Sequence, residues 1–404
     1  MSGVAVLLAG SDDRSMLATA RAFGARGIPF RAVGLSRTSA MGTSRHLRPR
    51  MAGTGPDARS EPEAYVDFLL DVVKRHRLGA VFPLTDRTLH TCVRFRDTIE
   101  AQAVLIAPPT AAVRNVLDKK ANLAIARRLG IPCPDEFELE RMEQLPEAVA
   151  TLGFPMILKS AGPSVDGRRK RLDLPWTLVR DEAELRRRLE ACAKQGVFPL
   201  VQRRVIGMSY KLCCFASAGE VLCTQVWKNV RTWRGYSVYR VTTPLSAELG
   251  RYVEALLGEL EWDGLAHLEF FVADDGDVRY METNGRPWAH VESSIALGWD
   301  FPVWAYDYFT EGRKPHPPSA GDAYGRKARW HYGDLEVLLD ALRGREEPSL
   351  AGRGRARAVA DYLSGFSSAV HPDVFRWDDP IPELAEHGRV LRRVGRRLTR
   401  RRAP

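Results

Sequence analysis

Two carboxylates on either side of one turn constrain this chain more than any other feature. Glu269 and Glu282 flank Ala273-Asp274-Asp275-Gly276-Asp277, and Asp-Gly between alternating apolar residues signals a hairpin. With Asp275-Gly276 as a two-residue turn, Glu269 stands opposite Glu282 and His267 opposite Asn284. The two-residue period then puts these four side chains on one face and Leu268, Phe270, Met281 and Thr283 on the other, core-facing side. Facing carboxylates with Cβ atoms about 5 Å apart repel, and one ordinarily stays protonated unless a cation sits between them. Two glutamates and an asparagine are hard oxygen donors, suited to Mg2+ whose shell is completed by substrate phosphates. The implied ligand is a nucleotide. The alternative is a hairpin whose polar face is simply hydrated.

A chain of 404 residues, 45% of them hydrophobic, has material for two to four domains and a sizeable core. No run approaches the roughly 18 apolar residues of a membrane span, and Met1-Ser2-Gly3-Val4 lacks the basic-then-apolar start of a signal peptide. A cytoplasmic location is expected. Six cysteines (92, 133, 192, 213, 214 and 223) form no CxxC pair and have no histidine at zinc spacing, so reduced, mostly buried thiols are expected. The formal charge of +10 is local: eight arginines and no acid lie between 389 and 402, and the remainder is at +2. That tail, with a partial apolar stripe of Val390, Leu391, Val394 and Leu398, could contact an acidic partner, a membrane surface or nucleic acid, or be a solvated helix.

The first hundred residues alternate strands with helices, which implies a parallel α/β sheet. Val4–Gly10, Phe30–Gly34, Ala80–Pro83 and Ala103–Ile106 read as strands, and Ser15–Ala25 and Glu63–Arg75 as helices. Gly10-Ser11-Asp12 is not a dinucleotide fingerprint, so this unit is expected to supply one wall of a cleft at its strand ends. After Pro108-Pro109 come a helix through Leu117–Asn122, a helix near 143–152, and a strand Met156–Lys159 ending in a cation. Residues 161–170, with glycines and three consecutive cations, suit a flap over phosphates or a solvated loop. Tyr210–Phe215 and Glu220–Trp227 read as antiparallel strands about Ala218-Gly219, and a helix Leu249–Leu260 precedes the carboxylate hairpin.

In order, these pieces resemble the ATP-grasp superfamily over roughly residues 4–312. Leu117-Asp118-Lys119 before Gly130-Ile131-Pro132 resembles the first nucleotide lysine and its helix, and Gly153–Lys159 the second lysine strand. Val201–Gly207 resembles the adenine-binding hinge, and His267–Phe270 with Glu282-Thr283-Asn284-Gly285-Arg286 the two metal strands. Asn284–Trp288, Gly298–Pro302, Trp330–Leu335 and Trp377–Pro382 resemble bacterial carboxylate-amine ligases of the superfamily, extending the similarity to about residue 388. The resemblance implies an α/β (α+β) fold: a pre-ATP-grasp domain at 1–110, a lid lobe at 111–200, a large lobe with the metal site at 201–320, and a C-terminal helical extension with a basic tail at 321–404.

It also implies ATP and one or two Mg2+, with Mn2+ as an alternative, in a ligase that makes an acyl phosphate from a small carboxylate and passes it to an amine or thiol. Lys119 and Lys159 would meet the α- and β-phosphates. Gln202, Arg203, Val205 and Tyr210 would line the nucleotide, and Glu269, Glu282 and Asn284 would hold the metal. Arg286 and His267, with Lys159, would act on the transferring group. Arg231, Arg234, Arg240 and Trp288 are candidates for the acid substrate's site. Two departures stand out: Arg203 occupies the usual position of a glutamate, and Tyr210 that of a ribose-binding acid. A nucleotide binder that has lost catalysis therefore stays open, as does a surface binder acting through the tail. A homodimer is compatible with the resemblance.

Overall fold

The computed structural model describes residues 3–159, 177–194, 198–273, 276–319, 324–344 and 354–388. The cationic loop at 161–170, Asp274 and Asp275 of the hairpin turn, and the arginine-rich tail from 389 lie outside them. Three sheets organise the described residues.

The N-terminal sheet contains β1 (Val6–Ala9), β2 (Phe30–Val33), β3 (Ala80–Pro83) and β4 (Val104–Leu105), all parallel, in the order β2-β1-β3-β4. Its central strand is buried on both sides, as parallel sheets are. Val6 and Leu8 pack with the helix Arg14–Ala25, whereas Leu7 and Ala9 pack with the helix Pro62–His76. Asp13 caps the first helix by accepting from Ser15 N–H, and Thr85 and Thr88 form a capping box that starts the helix Asp86–Arg94.

The lid sheet contains β5 (Glu136–Glu138), β6 (Met156–Lys159), β7 (Thr177–Val179) and β8 (Leu200–Arg203), in the order β5-β8-β6-β7. Met156, Leu158 and Val201 face a small core with Leu145, Leu152, Leu185 and Leu189. Period two turns Ile157 and Lys159 to the opposite face, and Gln202 joins them because it pairs with Ile157.

The large sheet has seven strands, in the order β13-β12-β9-β10-β11-β14-β15. These are β9 (Met208–Ser217), β10 (Glu220–Trp233), β11 (Tyr236–Thr243), β12 (Gly264–Val272), β13 (Val278–Asn284), β14 (Lys327–Arg329) and β15 (Val370–Pro372). Along β9, Leu212, Cys214 and Ala216 face one core with the helices Thr110–Leu117, Lys119–Arg128 and Ala247–Glu259, while Cys213 and Phe215 face the other. The helix bearing Lys119 thus packs on the large sheet although the expected boundary grouped it with the lid. The expected helical extension also contributes strands: β14 pairs with β11, and β15 lies parallel to β14.

Two buried ionic knots fasten this C-terminal part to the N-terminal domain. Arg14 Nη1 donates to Asp373 Oδ2 at 2.8 Å, and Arg21 Nη2 donates to Asp379 Oδ2 at 2.9 Å. The stretch containing Asp378-Asp379 is therefore a clasp on the N-terminal domain rather than a free tail. No helix among the described residues is long and apolar enough to cross a membrane.

Candidate functional site

The hairpin brings Glu269 opposite Glu282 and His267 opposite Asn284, by a route different from the expected one. Ala273 N–H donates to the Asp277 carbonyl, and Val272 pairs with Val278, so three residues separate the turn's closing pair. That register would miss Glu282 by one residue. A bulge between Glu269 and Phe270 restores it: Phe270 pairs with Tyr280, and Met281 is the extra residue. The correction moves the core as well. Tyr280, not Met281, is fully buried against Phe270, with its hydroxyl at 2.8 Å from Asn122.

The repulsion expected between the two glutamates is met by the chain's own lysines. β9 lies beside β12, and Lys211, directly opposite Glu269, forms an ion pair with it. Ser209 Oγ donates to Glu269 Oε1 at 3.0 Å and itself accepts from Asn229 Nδ2 at 3.1 Å. Lys119 Nζ lies 3.5 Å from Glu282 Oε2, and Asn284 Nδ2 lies 3.4 Å from Glu282 Oε1. Burial alone would raise the Glu282 carboxyl, but Lys119, Lys159 and Lys211 hold it well below the usual carboxylate range. Burial and then Lys119 push the Lys159 ammonium down to about 8, against the pull of Glu282 and Glu269. Each glutamate has a lysine of the chain as its counter-ion, so the facing charges do not by themselves demand a metal.

Three lysines around two glutamates nevertheless leave one positive charge, which suits a polyanion arriving with a divalent cation. The donor set fits that cation: Glu269, Glu282 and Asn284 offer adjacent oxygen atoms on one sheet face. Lys119 is the first residue of its helix, and Asp118 caps that helix by accepting from Lys120 and Ala121 N–H. Its backbone is therefore fixed beside the hairpin. Lys159 ends β6 on the same face of the lid as Gln202, whose Nε2 lies 3.3 Å from Glu136 Oε2.

Other expected site residues are placed differently. Arg203 pairs with Met156 on the lid's core-facing side and bonds to Asp135 and the Thr151 carbonyl, off the face that carries Gln202 and Lys159. Val205 is half-buried just beyond β8. Tyr210 packs against the helix-side core with the Lys228 ammonium 5.8 Å from its ring. Arg286 donates from Nε and Nη2 to Asp86, both at 3.0 Å, across to the N-terminal domain. Arg231 is buried and bidentate to Asp334, and Arg240 is fully buried against Asp373 and Ser293, so neither is the exposed substrate cation anticipated. Arg234 sits at the exposed β10–β11 turn with its guanidinium 5.1 Å from the Trp233 ring. Trp288 is 1% exposed, stacked on His267 at 5.3 Å and edge-on to Phe301, so it is core and not pocket wall.

His267 lies on the carboxylate face, opposite Asn284 as expected, but it is buried there, further along β12 and stacked on Trp288. Burial, then Lys211 and Arg286, hold its imidazole well below its ordinary pKa. The residues missed from sequence are Lys211, Ser209 and Asn229. Ser209, Lys211 and Cys213 do alternate with Tyr210, Leu212 and Cys214, a period-two polar face inside an apolar strand, but nothing in the sequence says that this strand neighbours Glu269.

Comparison with known proteins agrees with this architecture. No family model matches the chain. The biotin carboxylase domain of Hydrogenobacter thermophilus 2-oxoglutarate carboxylase, solved with MgADP, ADP and bicarbonate, superposes with a TM-score of 0.63 at 19% identity, over 81% of this chain and 73% of that one. An N5-carboxyaminoimidazole ribonucleotide synthetase solved with ADP superposes with a TM-score of 0.59 at 16% identity, over 86% and 89% of the two chains. The chain has the ATP-grasp fold. In sequence it is 23% identical over 181 residues to the N5-carboxyaminoimidazole ribonucleotide synthase of Pseudomonas aeruginosa, 44% of this chain and 48% of that protein. The match thus spans about half the length of that relative.

Proposed function

We propose that the chain is an ATP-dependent carboxylate-amine ligase that activates a small carboxylate as its acyl phosphate and releases ADP and phosphate. The observation that carries the reading is the facing pair Glu269 and Glu282, with Asn284, set among Lys119, Lys159 and Lys211 on the large sheet of an ATP-grasp fold. That similar proteins were solved with ADP or MgADP supports a nucleotide as the ligand.

In this reading Lys119 and Lys159 offset the charge of the nucleotide phosphates, one from the large lobe and one from the lid. Glu269, Glu282 and Asn284 would hold Mg2+, which supplies charge neutralisation on the phosphate oxygens when bound. Lys211 and Ser209 fix the Glu269 carboxylate, so its orientation costs little when the ligand arrives. Arg286 waits on Asp86 at the domain boundary, where an incoming anion can exchange for the aspartate. A carboxylate oxygen of the acid attacks the γ-phosphorus and ADP departs. The amine then attacks the acyl carbon, and phosphate leaves with the carboxylate's former oxygen.

Trapping tests the intermediate. With ATP, Mg2+ and the acid substrate, hydroxylamine in place of the amine is expected to give the acid's hydroxamate together with ADP and phosphate. AMP and pyrophosphate as the sole products would eliminate the mechanism.

Lys159→Ala tests the placement of the nucleotide. Losing an ammonium contact to phosphate is expected to weaken ATP binding by about 1.5 to 3 kcal/mol while affinity for the acid is kept, because the acid lies beyond the γ-phosphate. Calorimetric titration resolves the two. Loss of acid affinity with ATP affinity intact would move Lys159 to the substrate's site.

A further inference from the structure

Further along the same sheet face, next to the carboxylate pair, lies a buried cluster that the ligase reading does not use. Cys213 on β9 stands directly opposite His267 on β12, and His290, six residues past the end of β13, closes over them. The Cys213 Sγ and one nitrogen of each imidazole all lie within 4.8 Å of one another, and all three residues are buried. His267 and His290 are 7% and 4% exposed, and none of their four ring nitrogens has a hydrogen-bond partner. The rings meet edge to face at 5.5 Å, and Trp288 and Trp227 wall them in.

Buried imidazoles without partners are rare, since each unmet polar group costs roughly 1 to 3 kcal/mol. A water molecule could satisfy some of the nitrogens, but a thiol is a weak hydrogen-bond partner and gives no reason for its place in the triangle. One sulfur and two imidazole nitrogens are instead the donor set of a thiophilic d10 cation. Around such an ion at its usual bond lengths, donor atoms stand about 3.3 to 3.8 Å apart, so no side of the triangle needs to contract by more than about 1.5 Å. The neighbouring cations do not forbid it: Lys211 is paired with Glu269, and Arg240 with Asp373. The hard oxygen donors Glu269, Glu282 and Asn284 form a separate set on the neighbouring part of the same face, suited to a different class of ion.

We propose that Cys213, His267 and His290 form a buried site for Zn2+ or Cu+, distinct from the nucleotide's Mg2+ site. The bound ion ties β9, β12 and the segment after β13 together beside the Glu269–Glu282 pair. His267 is then a positioning residue held by the ion and not a contact of the transferring phosphoryl group.

The full-length protein, expressed separately in zinc- and copper-supplemented medium, is passed over a chelating resin and analysed for metal by mass spectrometry without nucleotide. One equivalent of zinc or copper per chain is expected, and which medium supplies it identifies the ion. That equivalent is lost in Cys213→Ser and His290→Gln and kept in Cys133→Ser, whose half-buried thiol lies outside the cluster. Cobalt-loaded wild type is expected to show a thiolate-to-metal charge-transfer band that Cys213→Ser lacks. Circular dichroism checks that the variants fold, and the wild-type cobalt spectrum decides the question if they do not. Metal-free wild type in both media, a stoichiometric cobalt complex with no thiolate band, or folded variants that keep the ion would overturn the proposal. Glu282→Gln is expected to keep this ion while losing MgATP turnover, so failure here and failure of the ligase reading give different results.

Discussion

Replacing Glu282 by glutamine is expected to lower MgATP turnover by on the order of 10² or more while the fold survives. The substitution is nearly isosteric and lies on the half-buried face of β13, so the bulge at Met281 and the pairing with Glu269 can persist. What changes is charge. Glu282 is the counter-ion of Lys119 at 3.5 Å and a neighbour of Lys159. Glutamine leaves three lysines facing Glu269 alone, which favours a bare polyanion and disfavours a divalent cation. Nucleotide affinity without Mg2+ should therefore hold or rise while turnover falls. Steady-state ADP release and a titration of ATP with and without Mg2+ measure the two effects. If Glu282 were only a partner for lysines, binding would change and turnover would remain, and wild-type turnover would remove it from the site.

The sequence showed which carboxylates face each other but not how the ladder achieves it. An Asp-Gly pair between alternating residues is a strong local signal, whereas the bulge at Met281 depends on Tyr280 reaching Asn122 on a helix far away in sequence. The lysines followed the same rule. Lys119 and Lys159 are legible because each ends or begins an element with a local signature, an Asp cap before one and an apolar strand before the other. Lys211 sits inside a strand whose neighbour is set by the order β12-β9-β10, which no local pattern encodes.

The arginines mark the limit of sequence reading most clearly. An arginine in a polar strand is usually exposed, which is what makes Arg231 and Arg240 candidates to meet a substrate's anion. Both are buried because Asp334 and Asp373, more than a hundred residues on, fold back to meet them. Trp288 points in the same direction, since a residue next to a polar hairpin can belong to the core beside it.

Asp373→Ala is expected to destabilise the protein by about 3 to 5 kcal/mol, the cost of leaving buried cations unpaired. The Asp373 carboxylate receives Arg14 at 2.8 Å, the Ser293 hydroxyl at 2.7 Å and the guanidinium of Arg240, and all four residues are buried. These partners come from the N-terminal domain, the segment after β13 and β11, so one side chain joins three parts of the fold. Alanine leaves Arg14, stacked on Trp330, and Arg240, beside Trp227, without the carboxylate they share. The midpoint of urea unfolding at unchanged slope reads the loss. The acid limb gives an independent check. Burial would raise the Asp373 carboxyl, but Arg240 and Arg14 hold it below its ordinary 3.8. Its share of stability is therefore present above that value and lost as pH falls through the lower, folded-state pKa. The gap between wild type and Asp373→Ala should accordingly be widest near neutrality and narrow in acid. A gap under about 1 kcal/mol that ignores pH would mean the contact behaves as a surface pair, and the clasp on the N-terminal domain would then rest on the contacts of Asp378 and Asp379 with Arg21, Ser44 and Arg45.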